Sequence, residues 1–104
     1  GSSVLGFIIC RSIGTEGEIL SLAVSPHVRR KGLGSRLINE AKYYAIKNKL
    51  NALFLEVAED NFPAKYLYSK FGFSKVGQRS KYYRKKNDFH VNALVLKCDL
   101  TQVS

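Results

Sequence analysis

The spacing of apolar positions along the chain changes period several times, and each change marks a predicted element. Val4–Ile13 (VLGFIICRSI) is dense in β-branched and aromatic residues and predicts a strand, with Gly14–Gly17 (GTEG) as the turn after it. Glu18–Ser25 predicts a second strand, closed by Pro26, so the two are expected to pair antiparallel. From Leu33 the period lengthens: Leu33, Leu37, Ile38, Ala41, Tyr44 and Ala45 recur at spacings of three and four and predict a helix over Leu33–Lys49. Arg36, Asn39, Glu40, Lys42 and Lys47 take its other face, and Asn48–Asn51 reads as stop and connection. Ala52–Ala58 (ALFLEVA) is a short apolar run that predicts a buried strand. Strand, long helix and strand in this order imply a right-handed βαβ crossover with parallel pairing.

A second, shorter helix is expected over Asn61–Phe71. Asn61 suits an N-cap, Pro63 is tolerated in a first turn, Ala64, Leu67, Tyr68 and Phe71 share a face, and Gly72 stops it. Phe73–Tyr83 and Phe89–Leu100 predict two more strands, joined by the polar loop Arg84–Asp88. No internal repeat, low-complexity segment or linker interrupts the pattern, which therefore predicts one α/β (α+β) domain over residues 1–104.

Composition narrows this picture. No apolar run approaches the roughly eighteen residues of a membrane span, which argues against a transmembrane helix and a membrane partner. No charged and apolar pair of a secretory signal opens the chain, which starts Gly1-Ser2-Ser3 and not with Met, so the natural N-terminus is expected upstream. Cys10 and Cys98 sit in apolar strand-like runs and read as lone buried thiols, which suits a reducing, cytoplasmic location. His27 and His90 stand far apart, and no cluster has metal-ligand spacing, so no metal is expected. The formal charge of +9 favours polyanionic partners such as nucleic acid or a phosphate-rich cofactor, or else simply keeps the domain soluble.

Three features carry candidate chemistry. Val24–Ser35 (VSPHVRRKGLGS) leads from a strand into a helix, with Arg29, Gly32 and Gly34 in the order R-x-x-G-x-G. Glycines at a helix mouth let the backbone approach a ligand, and the first-turn N–H groups, the helix dipole and Arg29, Arg30 and Lys31 together suit a phosphate or pyrophosphate. An ordinary glycine turn is the plain alternative. Glu56 is the one charged residue within Ala52–Ala58, where a carboxylate must be paired, used or turned to solvent. Tyr68 lies on the apolar face of the second helix, where an aromatic serves either the core or a reaction.

Taken together, the R-x-x-G-x-G turn after LAVSP, the LEV of the central strand and N-x-x-A-x-x-L-Y-x-x-x-G-F from Asn61 to Phe73 resemble the GNAT family of acetyl-CoA-dependent N-acetyltransferases. The resemblance runs from Gly6 to Leu96, with KYY at Lys81–Tyr83 and NALVL at Asn92–Leu96 extending it, although an acidic residue is frequent in the family where Asn92 stands. Within the family, the similarity is greatest to enzymes that acetylate the N-terminal alanine of a ribosomal protein. The resemblance implies a GNAT-like mixed sheet with a central βαβ unit, lacking the usual N-terminal strand and helices. The chain thus reads as a truncated domain, or as one whose exposed sheet a second copy covers in a homodimer.

The resemblance also implies roles. The coenzyme A pyrophosphate is expected on the backbone N–H groups of Arg30, Lys31, Gly32, Leu33, Gly34 and Ser35, assisted by Arg29 and Arg30. The pantetheine arm is expected along the backbone of Leu22, Ala23 and Val24, where an N–H can also steady an oxyanion. Asn61 matches a cofactor-contacting asparagine, Glu56 the family's general base and Tyr68 its general acid, while Tyr82 and Tyr83 are candidates for the acceptor groove. The expected activity is direct acetyl transfer from acetyl-CoA to a protein or peptide amine, a ribosomal protein N-terminus first. A lysine or small-molecule amine, or an inactive fragment that binds coenzyme A or RNA, are the alternatives.

Overall fold

A computed structural model describes residues 6–25, 32–80 and 91–101. Strands β1 (Gly6–Ile13) and β2 (Glu16–Val24) precede helix α1 (Leu33–Lys47), followed by β3 (Ala52–Ala58), α2 (Phe62–Lys70), β4 (Phe73–Arg79) and β5 (Ala93–Asp99). The strands form one mixed sheet in the order β1-β2-β3-β5-β4. Among the described strands only β2 and β3, which flank α1, run parallel, and this is the predicted βαβ unit. β1 and β2 pair antiparallel as expected.

Some boundaries differ from the sequence expectation. The helix predicted over Leu33–Lys49 ends at Lys47, because Lys49 takes a left-handed φ of 60°. Its N–H donates to Ile46 O (3.0 Å) and that of Leu50 to Ala45 O (2.9 Å), a Schellman closure with the buried Leu50 as its apolar anchor. β4 stops at Arg79 and β5 starts at Ala93, both shorter than the predicted runs; residues 81–90 lie outside the described set. α2 starts as predicted: Asn61 Oδ1 accepts from the Ala64 N–H at 3.3 Å, and Pro63 occupies the first turn.

Alternation along the strands divides the sheet into two unlike faces. Leu53, Leu55 and Val57 of β3 lie opposite Cys98, Leu96 and Leu94 of β5, and all six belong to the core. Ile38, Ala41 and Ala45 of α1 and Tyr68 of α2 join the same cluster, so both helices cover this face. Lys42 of α1 ties them together by donating to Phe71 O at 2.9 Å. Tyr44, predicted on the apolar stripe of α1, is instead 52% exposed, because the stripe that meets the sheet is narrower than the spacing suggested. The opposite face carries Phe54, Glu56, Val95 and Lys97, none fully buried, and among the described residues no helix covers it.

Candidate functional site

The parallel ladder between β2 and β3 is short. Glu16, Gly17 and Glu18 pair with Ala52, Leu53 and Phe54, and the register ends there. β2 nevertheless continues six residues further, to Val24, paired with β1 on its other edge. The divergence coincides with a bulge: Cys10 lies opposite Ile19 but Ile9 lies opposite Ser21, so Leu20 is the extra residue. Such a bulge bends its strand and increases the local twist. The two central strands therefore form a V that opens toward Leu22, Ala23 and Val24 on one arm and Glu56 and Ala58 on the other.

The start of α1 stands beside the β2 arm of this V. Gly32 is its N-cap, with φ 79° and ψ 7°, a conformation that strains any residue with a Cβ. A Cβ on Gly34 would meet Leu67 Cδ2 at 3.4 Å and Val24 Cγ2 at 3.9 Å, so the first helical turn sits close against both α2 and the end of β2. The first intrahelical bond runs from the Arg36 N–H to Gly32 O at 3.0 Å, which leaves the N–H groups of Leu33, Gly34 and Ser35 ahead of the ladder. Among the described residues no side chain caps this end, and no acidic residue occupies its first turn, so they leave the positive end of the helix un-neutralised. Arg29, Arg30 and Lys31, expected to add cations here, lie outside the described residues, as do His27, Tyr82, Tyr83 and His90.

Glu56 faces away from the helices, which resolves its presence in an apolar strand. Its side chain is 22% exposed, and its Oε1 accepts from Arg79 Nη1 at 2.8 Å. Arg79 reaches it across β5, because Arg79 lies opposite Ala93 while Glu56 lies opposite Val95 on the same face. Nothing local in the sequence signals this pair, which are 23 positions apart and depend on strand order. Arg79 is thus the site feature that sequence reasoning missed, while a bulge in this strand follows from the family resemblance and only its position at Leu20 has no mark in the residues.

Tyr68 lies on the helix-covered face, 8% exposed, with its ring edge-on to Phe73 at 5.8 Å between centroids. Burial pushes its phenol up from the ordinary value near 10, which keeps the proton on at neutral pH. Glu56 and Tyr68 therefore lie on opposite faces of the sheet, Glu56 on β3 and Tyr68 on α2. Asn61 is the observed cap of α2. Cys98 is buried and Cys10 half-buried; both are free thiols, and burial raises both. Among the described residues there is no group of three or more His, Cys, Asp or Glu that could hold a metal, and no helix long and apolar enough to cross a membrane.

Comparison with known proteins gives this arrangement a family. The model of the acetyltransferase (GNAT) family matches residues 1–73. A [ribosomal protein bS18]-alanine N-acetyltransferase of Haemophilus influenzae is 32% identical over 95% of this chain and 67% of its own length. An N-alpha-acetyltransferase of Saccharolobus solfataricus is 35% identical over 88% of this chain and 63% of its own length. Among solved structures, the ribosomal-protein-S18-alanine N-acetyltransferase of Escherichia coli superimposes with a TM-score of 0.88 at 26% identity, over 96% of this chain and 64% of that one. The chain belongs to the acetyltransferase (GNAT) family, a family of acyltransferases that use acetyl-CoA. It spans about two thirds of the length of these relatives, 63% to 67%.

Proposed function

We propose that this chain transfers the acetyl group of acetyl-CoA to a protein N-terminus, a ribosomal protein's N-terminal alanine first. The observation that carries the reading is the V between β2 and β3, which ends its ladder at Glu18–Phe54 beside the glycine-lined start of α1. Leu22, Ala23 and Val24 line one arm and are assigned to the pantetheine. Gly32, Leu33, Gly34 and Ser35, with Arg29, Arg30 and Lys31, are assigned to the pyrophosphate, and Asn61 to a further cofactor contact. The residues fit such a group: a gap between strands admits an extended arm, and an uncapped helix start with no acidic residue suits an anion. Acetyl-CoA supplies an activated acyl group as a thioester.

The side chains then divide the proton work. An α-amine has a reference pKa near 8 and must be neutral to attack. Glu56, on the face turned away from the helices, is the base that takes the amine's proton, with Arg79 fixing the carboxylate's direction. Tyr68, from the helix-covered face, gives its hydroxyl proton to the departing thiolate. Its burial supports this role, since the phenol holds its proton at the working pH.

The test is a mass-spectrometric screen of peptides starting with alanine, serine and other residues, incubated with the chain and acetyl-CoA. Acetylation confined to the α-amine, strongest on alanine, supports the proposal. Modification of lysine side chains or small amines alone moves the substrate class, and no turnover with intact coenzyme A binding reduces the chain to a binder.

A further inference from the structure

One surface lies apart from the V and has no part in the proposed reaction. On the solvent side of α2, Phe62 and Tyr66 stand one helical turn apart, each 68% exposed, unusual for aromatic rings on a nine-residue helix. Each ring carries its own cation: Lys65 Nζ lies 4.9 Å from the centre of the Phe62 ring, and Lys70 Nζ lies 5.6 Å from that of Tyr66. The same ring-and-lysine unit is thus repeated along the helix. Beside it runs a groove of about 700 Å³, walled by Phe62, Lys65 and Ser69 of α2 and by Ser74 and Lys75 of β4, over an apolar floor at Leu96. Glu59 and Asp60 line the groove where α2 begins. Glu59 is engaged at home: its Oε1 accepts from the Asn92 N–H at 3.3 Å and its carbonyl from Lys65 Nζ at 2.9 Å.

We propose that the Phe62–Lys65–Tyr66–Lys70 face of α2, with the adjoining groove and Lys75, binds single-stranded RNA. Repeated flat rings offer platforms for unpaired bases, and lysines next to the rings meet the phosphates between them; this pairing of stacking with positive charge is how single strands are held without sequence readout. A duplex, its bases already stacked, would use the lysines and leave the rings idle. The chain's charge of +9 supplies the long-range attraction that such a strand requires. This site is independent of acetyl transfer and survives if the proposed amine acceptor is wrong.

Fluorescence anisotropy tests it, using the whole 104-residue chain and a labelled oligouridine of about 12 nucleotides, within the site sizes typical of single-strand binders. Saturating acetyl-CoA keeps the RNA from the helix α1 start. The expected result is that Phe62→Ala with Tyr66→Ala weakens binding at least about tenfold with acetyl-CoA affinity unchanged. Lys65→Gln, Lys70→Gln and Lys75→Gln together should lower the salt slope of log K by about 2, at about 0.7 for each phosphate contact on a single strand. Phe62→Leu with Tyr66→Leu keeps apolar bulk and removes stacking, so it separates lost recognition from lost folding. The inference is overturned if both double variants of Phe62 and Tyr66 bind RNA as the parent does, if duplex RNA binds equally well and with the same dependence on these rings, or if polyglutamate competes as strongly as RNA.

Discussion

Strand β3 meets its two neighbours on unlike terms. On one edge all seven residues, Ala52–Ala58, pair with Asp99–Ala93 of β5. On the other, pairing with β2 lasts three residues and stops at Phe54. The laddered edge holds Glu56 opposite Val95 and brings Arg79 within 2.8 Å of it from one strand further out. The open edge leaves backbone that a ligand can use. A break in a central sheet exposes main-chain polar groups, so it persists only where the surroundings hold the strands apart. The candidate holders are the Leu20 bulge and the first turn of α1, which stands close against Val24 and Leu67 on the β2 side of the break. One strand thereby serves both as a rigid mount for a carboxylate and as one wall of a cleft.

The largest effect should come from the rigid side. Glu56→Gln keeps the shape and the capacity to accept from Arg79 but cannot take a proton from the amine. General-base loss of this kind corresponds to about 10² to 10⁴ in rate, and kcat for peptide acetylation should fall about a thousandfold with acetyl-CoA affinity intact. A variant that retains more than a third of the parent kcat would remove Glu56 from the chemistry and reduce it to a sheet residue.

Tyr68→Phe should cost less, about a hundredfold at most, because a thiol of reference pKa near 8.5 leaves as a thiolate with little help. Its pH behaviour is the sharper readout. Burial raises the Tyr68 phenol, so the folded state holds this proton more tightly than the unfolded chain does. The resulting stability is fully present below the unfolded value of about 10 and is lost as pH rises through the higher folded value. Thermal scans should therefore show a shallower alkaline decline for Tyr68→Phe than for the parent. Parallel declines would mean that the phenol ionises without constraint, contrary to its place in the core.

Deleting Leu20 attacks the open side directly. Without it Ile19 and Ser21 become neighbours opposite Cys10 and Ile9, a regular ladder in which Leu22 keeps its core-facing side. The straightened β2 should pair further along β3. Acetyl-CoA should then bind about tenfold more weakly, near 1.4 kcal/mol, while amide exchange slows over Leu55–Ala58. Unchanged affinity in a folded deletion variant would show that the bulge does not hold the V open.

The two edges also differ in how far the sequence announced them. The βαβ unit followed from a period of three to four between Leu33 and Ala45, flanked by apolar runs, because helix and strand periodicities are local signals. Asn61 and Pro63 marked the start of α2 for the same reason. The glycine turn, Glu56 and Tyr68 were legible as residue types in a motif, although the motif says nothing of which face each occupies. The split followed from the family resemblance and not from the residues, because a bulge leaves no compositional mark at Leu20, an ordinary strand residue. The Glu56–Arg79 pair was invisible, since it depends on β5 inserting between β3 and β4. Lys49 misled the helix boundary by taking a left-handed conformation more often occupied by glycine.

The smallest effect tests whether the laddered edge positions Glu56 or merely touches it. Arg79 is 64% exposed, so its ion pair is screened and should contribute less than about 1 kcal/mol to stability. Arg79→Gln should accordingly shift Tm by no more than a few degrees, since 1 kcal/mol corresponds to about 4–8 °C in a domain of this size. If the guanidinium aims the carboxylate, kcat should still fall a few-fold while KM for acetyl-CoA holds, and Arg79→Lys should recover part of the loss by restoring the charge. A purely structural contact predicts the same small Tm change but no change in kcat and no difference between Gln and Lys. That result would leave Glu56 oriented by β3 alone, and the contrast between the two edges would reduce to the presence or absence of a ladder.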